Sequence, residues 1–170
     1  MAIAISSAGV KVYYIAAANT SAPTGQTGFT EIPDVKSIPS LSPSPDTLET
    51  TPLANTEYKT YINGLKDLGG ALEFTVNLSD ELLELWNGPR TGDNSDKKSV
   101  MEEFEGLADG QSLWLAVVHP KLSQAVYFPF EPAKLGLPEI SVNEVLEGTL
   151  SITPTGEVVW GAKSSDFTNA

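Results

Sequence analysis

Any chemistry in this chain would have to come from few side chains. There is one histidine, His119, and no cysteine. Thiol nucleophiles, disulfides, cysteine-ligated metals and paired-histidine sites are therefore excluded. His119 precedes Pro120 at the tip of an expected hairpin, and no nucleophile or carboxylate is implied beside it. It reads as a surface histidine rather than a general base. Glu81 and Glu84 could in principle supply the two carboxylates of glycoside hydrolysis, but acids on the outer face of a helix read as solvated. In the stretch Gly92–Asp96 (GDNSD) the alternating ligands of a calcium loop would be Asp93, Ser95 and Lys97, and a lysine cannot ligate calcium. Gly69 and Gly70 precede a strand rather than a helix, which fits neither a phosphate loop nor a dinucleotide fold. Trp86, Trp114 and Trp160 could stack on sugar rings, but the first two lie in core-type apolar patterns, leaving Trp160. No catalysis, cofactor or metal is expected.

Acidic residues number 22 against 10 basic ones, a formal net charge of −12. Such a surface repels the phosphate backbone of nucleic acid, and its plain meaning is solubility. At 41% hydrophobic and 19% charged the composition is that of a globular protein, and 170 residues suffice for one domain with a core. No run of eighteen apolar residues occurs, so no transmembrane helix is expected. The start, MAIAISSAGVKVYY, lacks the basic and continuous apolar parts of a secretory signal, so export by the general route is not expected.

The elements that would position these residues are mostly strands. Residues 10–17 alternate as a first strand, and residues 29–42 read as a second one broken by Pro33 and Pro39. Residues 79–108 read as a helical insertion in two pieces, the first capped by Ser79 and stopped at Gly88-Pro89, the second capped by Ser95 or Asp96. Strands are expected at residues 112–118 and 124–130, over residues 140–153 as two short strands or one kinked at Gly148, and at 157–160. Residues 161–170 read as a mobile polar tail. The fold class is α+β, mainly β: two packed antiparallel sheets forming a sandwich or partly closed barrel, with a flanking helix and a long inter-strand loop.

That loop, residues 47–69, is polar but carries Leu53, Tyr58, Tyr61, Ile62 and Leu65, too much apolar surface for plain disorder. The strand after it alternates Leu72, Phe74 and Val76 with Glu73, Thr75 and Asn77. An assembly arm would bury Leu53, Tyr58, Tyr61 and Ile62 against a neighbouring chain, with Lys59 and Lys66 meeting its acids.

The run ETTPL at residues 49–53, then YKTYINGLKDLGG at residues 58–70, then an alternating strand, resembles the major tail tube proteins of long, non-contractile-tailed bacteriophages. The resemblance implies one tail-tube-type domain over residues 1–170. Residues 1–9 would be an N-terminal arm, and the loop would reach neighbouring subunits. It further implies hexameric rings stacked into a hollow tube in the virion tail, assembled in the host cytoplasm. The partners would be copies of the same chain, a tape-measure protein and tail terminator or initiator proteins, with no membrane. DNA would pass through the lumen without specific binding, and Glu73, Glu144 and Glu147 would line that lumen. The alternatives are a tube protein of a contractile tail or secretion system, which shares this fold, and a β-sandwich carbohydrate- or receptor-binding module.

Overall fold

A computed structural model describes residues 4–167. Ten strands form: β1 (Lys11–Ala18), β2 (Thr30–Ile32), β3 (Val35–Ser37), β4 (Ser44–Glu49), β5 (Tyr61–Asp67), β6 (Leu72–Asn77), β7 (Gln111–Val118), β8 (Gln124–Pro132), β9 (Glu147–Pro154) and β10 (Val159–Ala162). Eight of them make one antiparallel sheet in the order β2-β1-β7-β8-β9-β6-β3, with β10 on β8, while β4 and β5 pair only with each other. The α+β, mainly β expectation holds, although the sheets divide differently and no closed barrel forms.

The geometry of the large sheet follows from two prolines. β2 and β3 lie at opposite ends of the strand order, yet only Pro33 and Asp34 separate them in sequence. The sheet must therefore curl until its two edges approach. Pro33 ends β2, Asp34 turns with φ 62°, and no ladder joins β2 to β3, so the curl stays open. The second proline, Pro129, has no amide to donate and sits inside β8. There one edge of β8 changes partner: β10 takes residues 124–127 and β9 takes residues 130–132. The Pro129 carbonyl accepts from Thr155 N at 2.9 Å, and Gly156 lies so near that a Cβ would come within 2.7 Å of Pro129 Cγ.

Alternation then fills the inside of the curl. Val12 and Tyr14 of β1, Leu113 and Leu115 of β7, Phe128 and Phe130 of β8, Phe74 and Val76 of β6, and Leu150 and Ile152 of β9 belong to one buried cluster. Helices α1 (Asp80–Trp86) and α2 (Val100–Glu105) add Leu82, Leu85, Trp86 and Val100 to it. Ser79 Oγ accepts from Leu82 N and donates to Asp34 Oδ2 at 2.8 Å, tying the α1 cap to the turn that links the sheet edges. Trp86 Nε1 donates to Ala133 O at 2.7 Å, so the large buried indole leaves no orphaned donor. The helical insertion forms in two pieces as expected, but α2 is capped by Ser99 rather than Ser95 or Asp96. The signal was the spacing of Ser99 and Glu102, a hydroxyl followed three residues later by an acid.

Three expectations are corrected. Residues 47–69 are an ordered hairpin arm rather than a loop, built from β4 and β5 around a tip at residues 50–60. Residues 140–146 form no strand, because Asn143 turns with φ 67° and regular pairing begins only at Glu147. Residues 161–167 are not a mobile tail, while residues 168–170 lie outside the described part. β10 continues to Ala162, and Phe167 inserts beside Tyr13 and Phe29 with ring centroids 4.6 and 4.8 Å away. Asp166 Oδ2 accepts from Gly28 N and Phe29 N at 2.7 and 3.0 Å. This closes a second apolar cluster on the outer face of β1, β7 and β8, around Trp114 and Tyr127. Phe167→Ala is expected to destabilise the fold by about 3 kcal/mol, read in urea unfolding; a change near zero would restore the mobile-tail description.

Candidate assembly surface

β4 and β5 expose both faces. Thr47, Leu48 and Glu49 oppose Asn63, Ile62 and Tyr61, and a register shift lies between Pro45 and Thr47. Gly64 sits at that irregularity, where a Cβ would come within 3.2 Å of Asp46 O. The tip is ordered by its own polar groups. Thr50 N donates to Thr60 O at 2.8 Å, Thr60 N to Thr51 Oγ1 at 2.9 Å, and Asn55 Oδ1 accepts from Glu57 N and Tyr58 N. The arm rejoins the large sheet through Gly69 and Gly70, both at positive φ, with open space where their side chains would be.

Among its polar residues the arm presents several large apolar side chains. Leu53 is fully exposed, Tyr58, Tyr61, Ile62 and Leu65 are exposed, and Leu48 joins them from β4. The structure thus brings together the residues expected to touch a neighbour: Leu53 and Tyr58 at the tip, Tyr61 and Ile62 along β5. Lys59 lies 3.7 Å from Glu49 across the hairpin, and both side chains are largely solvated. Such a pair contributes about 0–1 kcal/mol. At the base of the arm, a cleft of about 590 Å³ lies between Leu65, Leu68 and the β9–β10 turn at Pro154 and Val158.

The expected lumen acids separate. Glu73 on β6 and Glu147 on β9 lie on the outer, wet face of one strand pair, where Glu73 opposes Ser151 and Glu147 opposes Asn77. Glu147 pairs with Lys36 of β3. Glu144 stands apart, in the irregular segment before β9. That segment is the surface that sequence reasoning missed: Leu137, Ile140, Val142, Val145 and Leu146 are all exposed. The signals were present in Gly136, Pro138 and Asn143, which disfavour a ladder.

The chemistry weighed in the sequence finds no assembled site. No group of three or more His, Asp or Glu is placed to hold a metal among the described residues. Residues 92–94 of the calcium-like stretch form a short 3₁₀ turn, and Glu84 is engaged by Thr91 Oγ1 at 2.7 Å. His119 Nδ1 accepts from Lys121 N, which leaves Nε2 to donate to Ser6 O, so the ring fastens the N-terminal segment to the β7–β8 turn. Trp86 and Trp114 are buried and Trp160 is exposed. Beside a smaller cleft, burial pushes the Tyr14 hydroxyl up to about 12, aided by the nearby Glu103 carboxylate. Burial likewise raises Glu103 despite the opposing pull of Lys98 and Arg90.

Two predictions follow from these placements. Leu53→Asp with Leu65→Asp should change unfolding free energy by no more than about 0.5 kcal/mol, because both side chains already face water; a large loss in chemical denaturation would show that the arm packs on its own body. For Glu103, a raised folded pKa means the folded state holds the proton more tightly than the unfolded chain. Its contribution is therefore lost as pH rises from the ordinary glutamate range through the folded value. Glu103→Gln should melt above the wild type at pH 7, and the gap should close in acid where both are neutral, as read by calorimetry across pH.

No protein-family model matches the chain, and no curated protein matches it. Solved structures do. A chain of the six-fold symmetrised anti-feeding prophage baseplate has a TM-score of 0.58 at 13% identity, covering 95% of this chain and 98% of that one. A chain in the extended-state sheath/tube terminator of the extracellular contractile injection system PVC gives 0.56 at 12% identity, covering 95% and 99%. A chain from the tail of an empty gene transfer agent particle, refined helically with C6 symmetry, gives 0.56 at 16% identity, covering 94% and 100%. Over nearly its whole length, this chain has the fold of components of tail and injection-system assemblies.

Proposed function

We propose that this chain is a structural subunit of a tail tube, polymerising as stacked six-membered rings around a lumen. The observation that carries the reading is the ordered hairpin arm, whose exposed apolar side chains find no cover among the described residues. An exposed apolar surface of this kind marks an interface, and aromatic residues such as Tyr58 and Tyr61 are the usual anchors of one. The six-fold and helical settings of the similar chains support self-association in that form. Those neighbours include a contractile injection system and a gene transfer agent tail, so the reading is of the tube itself, with the long non-contractile phage tail as one setting for it.

In this role the open edges at β2 and β3 are available to neighbours in the ring, which would remove them as templates for uncontrolled pairing. A head-to-tail contact between rings propagates indefinitely, as a tube requires. The wet face carrying Glu73 and Glu147 would line the lumen, where fixed negative charge keeps a passing nucleic acid from adhering. Tape-measure and terminator proteins would set the length. The sugar-binding alternative retains only Trp160, since the other two indoles are in the core.

Negative-stain microscopy of the purified chain across a concentration series tests this reading. Rings or hollow tubes of uniform diameter are expected, and Leu53→Asp with Tyr58→Asp should abolish them without unfolding the subunit. Subunits that stay monomeric at the highest concentration, also with a terminator protein added, would overturn it. Glu73→Lys should leave tubes intact while slowing passage of a nucleic acid through them; unchanged passage would remove Glu73 from the lumen wall.

A further inference from the structure

Apart from Ile5 and Trp160, every large apolar side chain exposed among the described residues belongs to one of two stretches, the hairpin arm or residues 137–146. Their charges differ locally: the arm as a whole carries Asp46, Glu49, Glu57 and Asp67 against two lysines, but its return limb is basic. Residues 58–66 hold Lys59 and Lys66 and no acid, in a chain whose net charge is −12. Residues 136–146 hold Glu139 and Glu144 and no base. Lys66, Glu139 and Glu144 form no ion pair among the described residues, and the Glu49 partner of Lys59 is solvated and exchangeable. No hydrogen bond or ion pair joins one stretch to the other within the chain.

We infer that residues 136–146 are the seat for residues 58–66 of a second copy of this chain. The inference rests on the tube reading in taking the partner to be another copy, and it names the contact. Ile140 and Val142 receive Tyr61, Ile62 or Leu65, and the two lysines of the arm meet Glu139 and Glu144. Apolar area provides the attraction, while the charges fix which surfaces meet. The two surfaces differ, so each copy offers one of each and the contact repeats from copy to copy without closing on a pair. That is the connectivity of a filament or a ring, and it matches the helical and six-fold settings in which chains of this fold occur.

Charge reversal on each side, then on both, tests the contact. Lys59→Glu with Lys66→Glu, and separately Glu139→Lys with Glu144→Lys, should each raise the concentration needed for assembly by about tenfold or more. The chain carrying all four reversals should assemble near the wild-type concentration. Single-side reversals without effect, or a fourfold variant no better than either parent, would overturn the inference. The absence of native cysteine permits a second measurement on unassembled protein. Ile62→Cys and Val142→Cys proteins, one of them enlarged by a tag, are mixed under mild oxidation. Mixed disulfides should exceed their random share, and a random yield would count against the contact. If the wild type forms no rings or tubes yet the mixed disulfide dominates, the tube reading falls and the contact stands. If tubes form while the reversals are inert and cross-linking is random, the contact falls and the tube reading stands.

Discussion

The rest of the structure depends on the turn at Pro33 and Asp34. Because it joins the two outermost strands of the large sheet, that sheet cannot lie flat, and its concave side becomes an enclosed apolar volume. Two helices complete the core, and Ser79 ties the first of them to the same turn through Asp34. A curled sheet needs its edges near each other but not hydrogen-bonded, and the proline withholds the donor that would extend β2. The unused edges are thus a product of how the core is closed.

A second consequence concerns the outer surface. The body has a convex exterior that it must either wet or cover. On β6 and β9 it is wetted by Glu73, Thr75, Thr149 and Ser151. On β1, β7 and β8 it is covered by Phe29 and Phe167, held by the Asp166 carboxylate. The hairpin arm follows neither solution, since both of its faces are in water and yet six of its side chains are large and apolar. Burying one such side chain is worth roughly 1.5–3 kcal/mol. Among the described residues, and apart from Ile5 and Trp160, the arm and residues 137–146 are where this chain leaves that stabilisation unused.

Much of this was legible in the sequence, for reasons that can be named. Strict alternation makes β6 readable, because one of its faces meets the core, and apolar runs bounded by turn residues make β7 and β8 readable, because they are buried on both sides. Ser79, Leu82, Leu85 and Trp86 gave α1 by cap and period. The aromatic content marks the arm, but its sequence reads as a loop, since a strand exposed on both faces has no alternation to detect and Thr, Asn and Pro resemble turn chemistry. Residues 140–146 failed the other way: Ile140, Val142 and Val145 look like strand residues, and propensity says nothing about whether a partner strand exists. The polar residues 161–167 hid one phenylalanine whose pocket is assembled from distant β1 and the loop before β2. Glu144 reads from the sequence as sharing one β face with Glu73 and Glu147, whereas the backbone places it in the irregular segment before β9.

The pair Gly69-Gly70 has a mechanical meaning. Both residues hold positive φ, and neither has a neighbour within 4 Å of where a side chain would be. The arm is stiffened internally by its ladder and its tip, while at this root the two glycines have the widest choice of backbone conformation. In the proposed tube, rotation of each arm at this root would let the axis bend while every contact surface stays seated, so that curvature is distributed over many small torsions and no interface has to open.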